Sequence, residues 1–325
     1  MNASSRGRVA EPRLVLMLSE AWTMIDPRDL RGLVELAAVA ERAGVDGVLV
    51  GEHVTLGRII EAEGVADNPR QWVRPGNRAG LYAHPHGLHV LGAMAAVTER
   101  IRLIAAALLS PLRHALVIGK ELATVDLISR GRLVHMPVPG GIEEEYGALG
   151  LPFHERGRMF DEQLEVWDRI WRDDYATYHG SYYSFDEMAM EPKPWRSGGP
   201  QIWIGGSRLH PNALRRTVRY ACGYFPQMTP SEEEVERLTA ALAAAGRSID
   251  DVEVVVFFGQ RTDFPGTDST KSLDAALEDI VPEIARGMNT FVMKPSQYID
   301  DPTQLGDLCR DTINGLRERT AAVRA

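Results

Sequence analysis

Only two of the 325 residues are cysteine, Cys222 and Cys309, and they stand far apart with no ligand-like spacing. That excludes a disulfide framework and a cysteine zinc site. No apolar run approaches the roughly 18 residues needed to cross a bilayer. The start, Met1 to Pro12, is polar and rich in small residues, without the apolar stretch of a secretion signal. It is expected to be a frayed terminus (1–12) ahead of one domain (13–325) in a soluble, cytoplasmic chain with no membrane partner. A surplus of basic residues is missing as well: 36 Lys and Arg stand against 45 Asp and Glu, a net charge of −9. The acidic excess is spread along the chain, which argues against a nucleic-acid surface. Also absent is a G-x-G-x-x-G after the first apolar run, the phosphate fingerprint of many open doubly wound sheets.

What is present is a regular alternation of short β-branched apolar runs with longer amphipathic stretches, the pattern of parallel strands covered by helices. The predicted strands are Leu14 to Leu18, Val45 to Val50, Ile101 to Leu108, Leu133 to Val138, Gln201 to Ile204, Gly223 to Phe225, Val252 to Phe258 and Thr290 to Met293. Helices are expected from Asp26-Pro27 to a stop at Gly44, and over His86 to Thr98, Arg113 to Ser129, Gly157 to Trp171 and Asn212 to Tyr220. Three more are expected over Ser231 to Ala245, Leu273 to Ala285 and Thr303 to Arg319, the first capped by Ser231 with Glu234 three residues on. Eight units of this kind point to a single α/β domain, a closed (β/α)8 TIM barrel, with an open sheet as the alternative.

Two segments break the rhythm. Thr55 to Pro85 follows the second strand, on the side where such barrels place their active sites. Tyr175 to Pro200, between the fourth helix and the fifth strand, enters from the opposite side and reads as a hairpin with a packing role. Residues at strand ends are the natural site candidates: Glu20 and Trp22 after the first strand, Gln260 and Arg261 after the seventh, and Lys294 after the last. For the first four the plain alternative is a solvated loop residue, and for Lys294 it is a pairing with a surface carboxylate. Gly205-Gly206-Ser207 sits where a strand turns into a helix, so its amides can approach a phosphate with no Cβ in the way.

Four ordered stretches carry a family resemblance. They are Arg113-His114 through Lys120-Glu121-Leu122-Ala123-Thr124-Val125-Asp126 to Arg130-Gly131-Arg132-Leu133, then Pro152-Phe153-His154-Glu155-Arg156-Gly157-Arg158, Pro192-Lys193-Pro194, and Pro200-Gln201-Ile202-Trp203-Ile204-Gly205-Gly206-Ser207. Together they resemble the luciferase-like monooxygenase family, the flavin- or coenzyme F420-dependent oxidoreductases related to bacterial luciferase. The resemblance implies a cofactor ring at the barrel mouth and a small organic substrate above it. The homodimer common in the family is implied too.

It also implies roles for particular residues. Glu52 and His53 match the acidic-His pair that faces the cofactor ring, and a histidine there can exchange a proton near neutral pH. Leu109 and Ser110 match backbone that touches the ring, Gly140 and Gly141 follow the fourth strand, and Gly205, Gly206 and Ser207 match a phosphate contact. That fourth strand departs from the family's Gly-rich pattern, since Pro137 and Pro139 remove amide donors. Trp22, His84, His86 and Gln260 are expected to meet substrate. The cofactor expected is F420 with hydride transfer; FMN with oxygen is the alternative, and a flavin-binding protein without turnover is a third. His84, His86 and His89 also allow a metal-dependent hydrolase, although Pro85 and a helix start make their imidazoles diverge, so no metal ligand is assigned.

Overall fold

The computed structural model describes residues 11–21, 23–57, 70, 84–259 and 270–325. In chain order the strands are β1 (Arg13–Met17), β2 (Gly47–Val50), β3 (Arg102–Leu109), β4 (Leu133–Val138), β5 (Ala176–His179), β6 (Ser184–Met188), β7 (Gln201–Gly206), β8 (Gly223–Pro226), β9 (Glu253–Phe257) and β10 (Thr290–Met293). All but β5 and β6 form one closed parallel barrel. Closure is made by β1, where Val15 lies opposite both Gly47 of β2 and Val292 of β10. An open sheet is thereby excluded. β5 and β6 pair as an antiparallel hairpin outside the barrel, within the segment whose aromatic residues flank Gly180.

Alternation along the strands divides the core. Val15, Leu49, Ile104, Val134, Trp203, Phe225, Val255 and Val292 fill the barrel interior. Leu14, Leu16, Val48, Leu103 and Phe291 face outward into a larger cluster under the helices. Each strand buried on both sides reads as a continuous apolar run, which is why the eight runs stand out in the sequence.

The helices are α1 (Leu30–Ala43), α2 (Gly87–Val97), α3 (Ala115–Ile128), α4 (Glu143–Ala148), α5 (Arg156–Ile170), α6 (Pro211–Tyr220), α7 (Glu232–Ala244), α8 (Leu273–Asp279), α9 (Val281–Ala285) and α10 (Leu305–Arg324). The stop at Gly44 is a left-handed residue with φ of 93°, and Ser231 and Glu234 close a reciprocal capping box. Several elements differ from expectation: α10, for one, runs on to Arg324 past the expected end at Arg319. Asp26 and Pro27 make a turn, and α1 starts at Leu30 because Asp29 caps the amide of Gly32. The helix expected over Leu273 to Ala285 is broken at Ile280, since Pro282 has no amide to continue the first helix. The short helix α4, between β4 and α5, has no apolar period to announce it.

β3 and β4 explain how Pro137 sits in a central strand; Pro139 lies just past the end of β4. From Ala105 to Leu108 the β3 chain takes one more residue than β4 takes from His135 to Pro137, a bulge that contains the cis Ala106–Ala107 peptide. Pro137, opposite Leu108, is the first residue of β4 to pair again after the bulge, so it sits at an irregularity of the ladder, where proline is tolerated. On its other side β4 meets β7 only through Val134 and His135.

Candidate active site

The C-terminal strand ends gather histidines and carboxylates around the exit of β2. Glu52 is buried and receives both arms of Arg113, at 2.7 and 3.0 Å. The same guanidinium donates to His86 Nε2 at 3.1 Å, which fixes that nitrogen as an acceptor. Burial and the adjacent Arg113 lower the pKa of His86, so its neutral form is favoured.

One residue on, the His53 side chain is 26% exposed, and its Nδ1 donates to Glu145 Oε2 at 3.3 Å, a carboxylate only 2% exposed. Glu145 belongs to α4 and also accepts the amides of Val54 (2.6 Å) and Thr55 (3.3 Å). A carboxylate can only accept, so in the neutral imidazole the His53 proton belongs on Nδ1, which leaves the lone pair on Nε2. His84 stands edge-on to His53 with ring centroids 5.2 Å apart. Burial, reinforced by the neighbouring His53, pushes its pKa down to about 4. His84 is therefore a neutral neighbour at ordinary pH.

Beside this group lies a run of inner positions without bulk. Gly51 of the β2 exit, Ala106 and Ala107 of the bulge, and Gly205 of β7 carry at most a methyl group. A Cβ on Gly51 would lie 2.9 Å from the carbonyl oxygen of Ala106, so only glycine lets β2 approach the bulge this closely. Met17, Met136, Val138, Phe225 and Phe257 pack around the upper interior. Small residues along the strand ends with apolar walls between them are what a flat heteroaromatic ring requires, so the residues present fit the expected cofactor class.

The expected phosphate turn is shifted: Gly205 and Gly206 extend β7 by pairing with Phe225 and Pro226 of β8, and only Ser207 lies beyond the strand. Gly206 has φ of +157° and its carbonyl accepts the amide of Gln227. Ser207 is exposed, its hydroxyl 3.0 Å from His210 Nε2, and His210 precedes the first turn of α6. Gly140 has φ of +73°, and a Cβ there would press on Leu109 at 3.1 Å, while Gly141 borders open space. The carbonyls of Pro139 and Gly140 are taken by the Tyr146 hydroxyl and by Arg156. Leu109 turns its side chain into an apolar cluster with Leu112 and Tyr146, and Ser110 is fully buried, so these two reach the mouth only through backbone.

Among the expected site residues, then, Glu52, His53, His84 and His86 form one cluster; Leu109, Ser110, Gly140 and Gly141 lie across the bulge from it; Gly205 and Gly206 are the last two residues of β7, and Ser207 follows them. Trp22, Gln260 and Arg261 lie outside the described residues, as does most of Thr55 to Pro85. Lys294 and Glu20 form a buried ion pair at 2.9 Å between β1 and β10. Burial lowers the Lys294 pKa and the Glu20 carboxylate opposes that shift. Arg70, inside the long segment, donates to the Ser296 carbonyl (2.8 Å) and to Asp300 (2.7 Å). Sequence reasoning missed Arg113 as the partner of Glu52, Glu145 as the partner of His53, and Arg70. The Arg113-His114 match pointed at the first, whereas nothing local distinguishes Glu145 from Glu143 and Glu144. Among the described residues no group of three His, Cys, Asp or Glu could hold a metal ion, and none of the helices is long and apolar enough to cross a membrane.

Comparison with known proteins bears on the same region. Residues 13–263 match the family model described as luciferase-like monooxygenase. An FMNH(2)-dependent dimethylsulfone monooxygenase of Pseudomonas putida is 30% identical over 221 residues, 66% of this chain and 54% of that protein. An F420-dependent glucose-6-phosphate dehydrogenase of Microbacterium testaceum is 28% identical over 235 residues, 69% of this chain and 62% of that protein. The matches thus span little more than half the length of these relatives. The oxygenating constituent of 3,6-diketocamphane monooxygenase from Pseudomonas putida, solved with FMN, superposes with a TM-score of 0.67 at 15% identity, covering 93% of this chain and 96% of that one. With the closed barrel and a family match over most of its length, this chain belongs to the luciferase-like monooxygenase family.

Proposed function

We propose that the chain is an oxidoreductase that holds coenzyme F420 at the C-terminal mouth of the barrel and moves a hydride between it and a small organic substrate. The observation that carries this reading is the His53–Glu145 pair beside the run of small residues. Glu145 fixes the imidazole through Nδ1, leaving Nε2 to take a proton from a substrate hydroxyl or return one to a carbonyl. The carboxylate also stabilises the imidazolium once the proton has arrived. Glu52 is occupied by Arg113 on both oxygens, so its role is to hold the backbone before His53 and not to move protons. When bound, the deazaflavin would accept or supply the hydride.

The residues assigned to bind it are the backbone of Ala106 to Ser110 and Gly140 and Gly141 along the ring, with Gly205, Gly206 and Ser207 toward phosphate. Substrate would lie on the side of His53, His84 and His86. A second reading, FMN with oxygen, is favoured by the dimethylsulfone monooxygenase relative, named as FMNH(2)-dependent. In that case the same apolar walls would keep water from the reacting ring. A homodimer is our expected assembly, supported by Val97 of α2 and by Val117 and Ile128 of α3, which are exposed on adjacent helices.

Equilibrium binding of F420 and FMN, oxidised and reduced, followed by fluorescence, tests the reading. Tight F420 and weak FMN binding is expected. The reverse preference would replace hydride transfer with the oxygen-using reading, and binding of neither would end both.

A further inference from the structure

Helix α5 and its C-terminal cap carry three side-chain donors at four-residue spacing, Gln163, Trp167 and Trp171, all buried. One helical face therefore presents all three. Trp167 Nε1 donates to the carbonyl of Ala115 at 2.9 Å and Trp171 Nε1 to that of Gly119 at 3.2 Å, which dock α5 on α3. The first rung is different. Gln163 Nε2 donates to the carbonyl of Ser110 at 3.0 Å and to that of Arg113 at 2.8 Å. Both acceptors are carbonyl oxygens, so the amide can only face them with its NH2 group, and both of its hydrogens are used.

Those two carbonyls bracket the tight turn Ser110–Leu112 that leads from the β3 bulge to Arg113. The residue before the turn is the last of the strand carrying Ala106 and Ala107, and the residue after it neutralises Glu52 next to His53. A single amide, fully buried in the helix layer, thus fixes the segment between the small-residue shelf and the guanidinium that secures the β2 exit. We propose that Gln163 is a positioning residue for the cofactor site: it acts through the backbone of Ser110 and Arg113 and touches neither cofactor nor substrate. This rests on the reading that the cofactor ring lies along the ends of β2 and β3.

The test compares Gln163→Glu, Gln163→Met and the control Trp171→Phe. In Gln163→Glu a neutral carboxyl donates one hydrogen bond in place of two, and once ionised it donates none and faces two carbonyl oxygens. Cofactor affinity of Gln163→Glu should therefore fall about 10-fold further as pH rises through the pKa of that buried carboxyl. Gln163→Met should weaken cofactor binding at every pH, and Trp171→Phe should lower Tm while leaving cofactor affinity at the wild-type value. Amide hydrogen exchange in the stretch 106–113, read by mass spectrometry on the same samples without cofactor, should accelerate in both Gln163 variants and not in Trp171→Phe.

Unchanged exchange overturns the proposal, as does equal weakening of binding by Trp171→Phe. Faster exchange with wild-type affinity for the cofactor overturns the link from the clamp to the site. If the wild-type protein binds neither F420 nor FMN, the cofactor reading fails by itself, and the exchange comparison still decides whether Gln163 holds the segment.

Discussion

The two ends of the barrel differ in their residues and in what those residues do. At the lower end Glu253 receives Arg102 through two bonds of 2.8 and 3.1 Å, Arg13 at 2.8 Å, and the Thr290 hydroxyl. The Arg102 guanidinium lies over Trp203, the inner residue above it, at 5.5 Å. Arg132 donates to four carbonyls and a hydroxyl, and Glu41 accepts three successive amides, Glu99 to Ile101. At the upper end the inner positions shrink to glycine and alanine, and the polar cluster is built on histidines. A cavity of about 1390 Å³ opens at the lower end, yet ion pairs and strand starts line it and no histidine does. The arrangement of proton-exchanging groups favours the other end.

His53→Ala puts this contrast under the most severe test. If the upper end carries the chemistry, turnover should fall about 10²- to 10⁴-fold, with Tm and cofactor affinity near wild type, as steady-state kinetics and thermal melts would show. A loss of less than about threefold, far short of a general base's contribution, would remove His53 from the reaction.

The mirror experiment is Glu253→Gln, which should cost stability and spare kcat. Removing the charge that neutralises two arginines is expected to cost about 2 kcal/mol, a loss moderated by the partial exposure of both guanidiniums. Burial would raise the Glu253 pKa, but Arg102, Thr290 and Arg13 outweigh it and hold it below the ordinary value. Its contribution is therefore complete above the unfolded carboxyl's pKa of about 4.3, and is lost as pH falls through the lower folded value. Urea melts across this range should show a shallower acid limb in the variant; a change in kcat instead would join the two ends functionally.

Gly51→Ala should be milder. The added methyl would meet the Ala106 carbonyl at 2.9 Å, so the bulge must shift; a loss of cofactor affinity of about 10-fold with a small drop in Tm is expected from titration and melting. The smallest effect concerns His84. With its pKa pushed down to about 4, its ring resonances should titrate well below those of a solvated histidine by NMR, and His84→Asn should leave the pH–rate profile above pH of about 6 unchanged. A midpoint near neutrality would show that His84 is not desolvated as the structure has it.

The barrel was legible because each strand buried on both faces produces a continuous apolar run, and termini such as Gly44 and Ser231 mark helix ends by local chemistry. The β2 exit was legible for a related reason: Glu52 and His53 directly follow an apolar strand, so they must emerge at the mouth. α4 was not, since a short stretch rich in glutamate has no period to read, and Glu145 is chosen over Glu143 and Glu144 only by burial against Val54. Gln163 was equally silent. On the α5 face it falls among apolar residues, and the carbonyls it serves belong to Ser110 and Arg113, 53 and 50 positions away in the chain.

Features written locally and periodically in the chain set the alternation that requires strands under helices, the caps that end those helices, and the small residues that let strand ends pack closely. Which of these features meet is a matter of tertiary packing. Closure of β1 on β10 turned eight separate runs into one rim, and that rim set Glu145 on His53 and Arg113 on Glu52, pairs separated by 92 and 61 residues. Side-chain partners at such distances are chosen by packing geometry, which a single sequence does not encode in any local pattern.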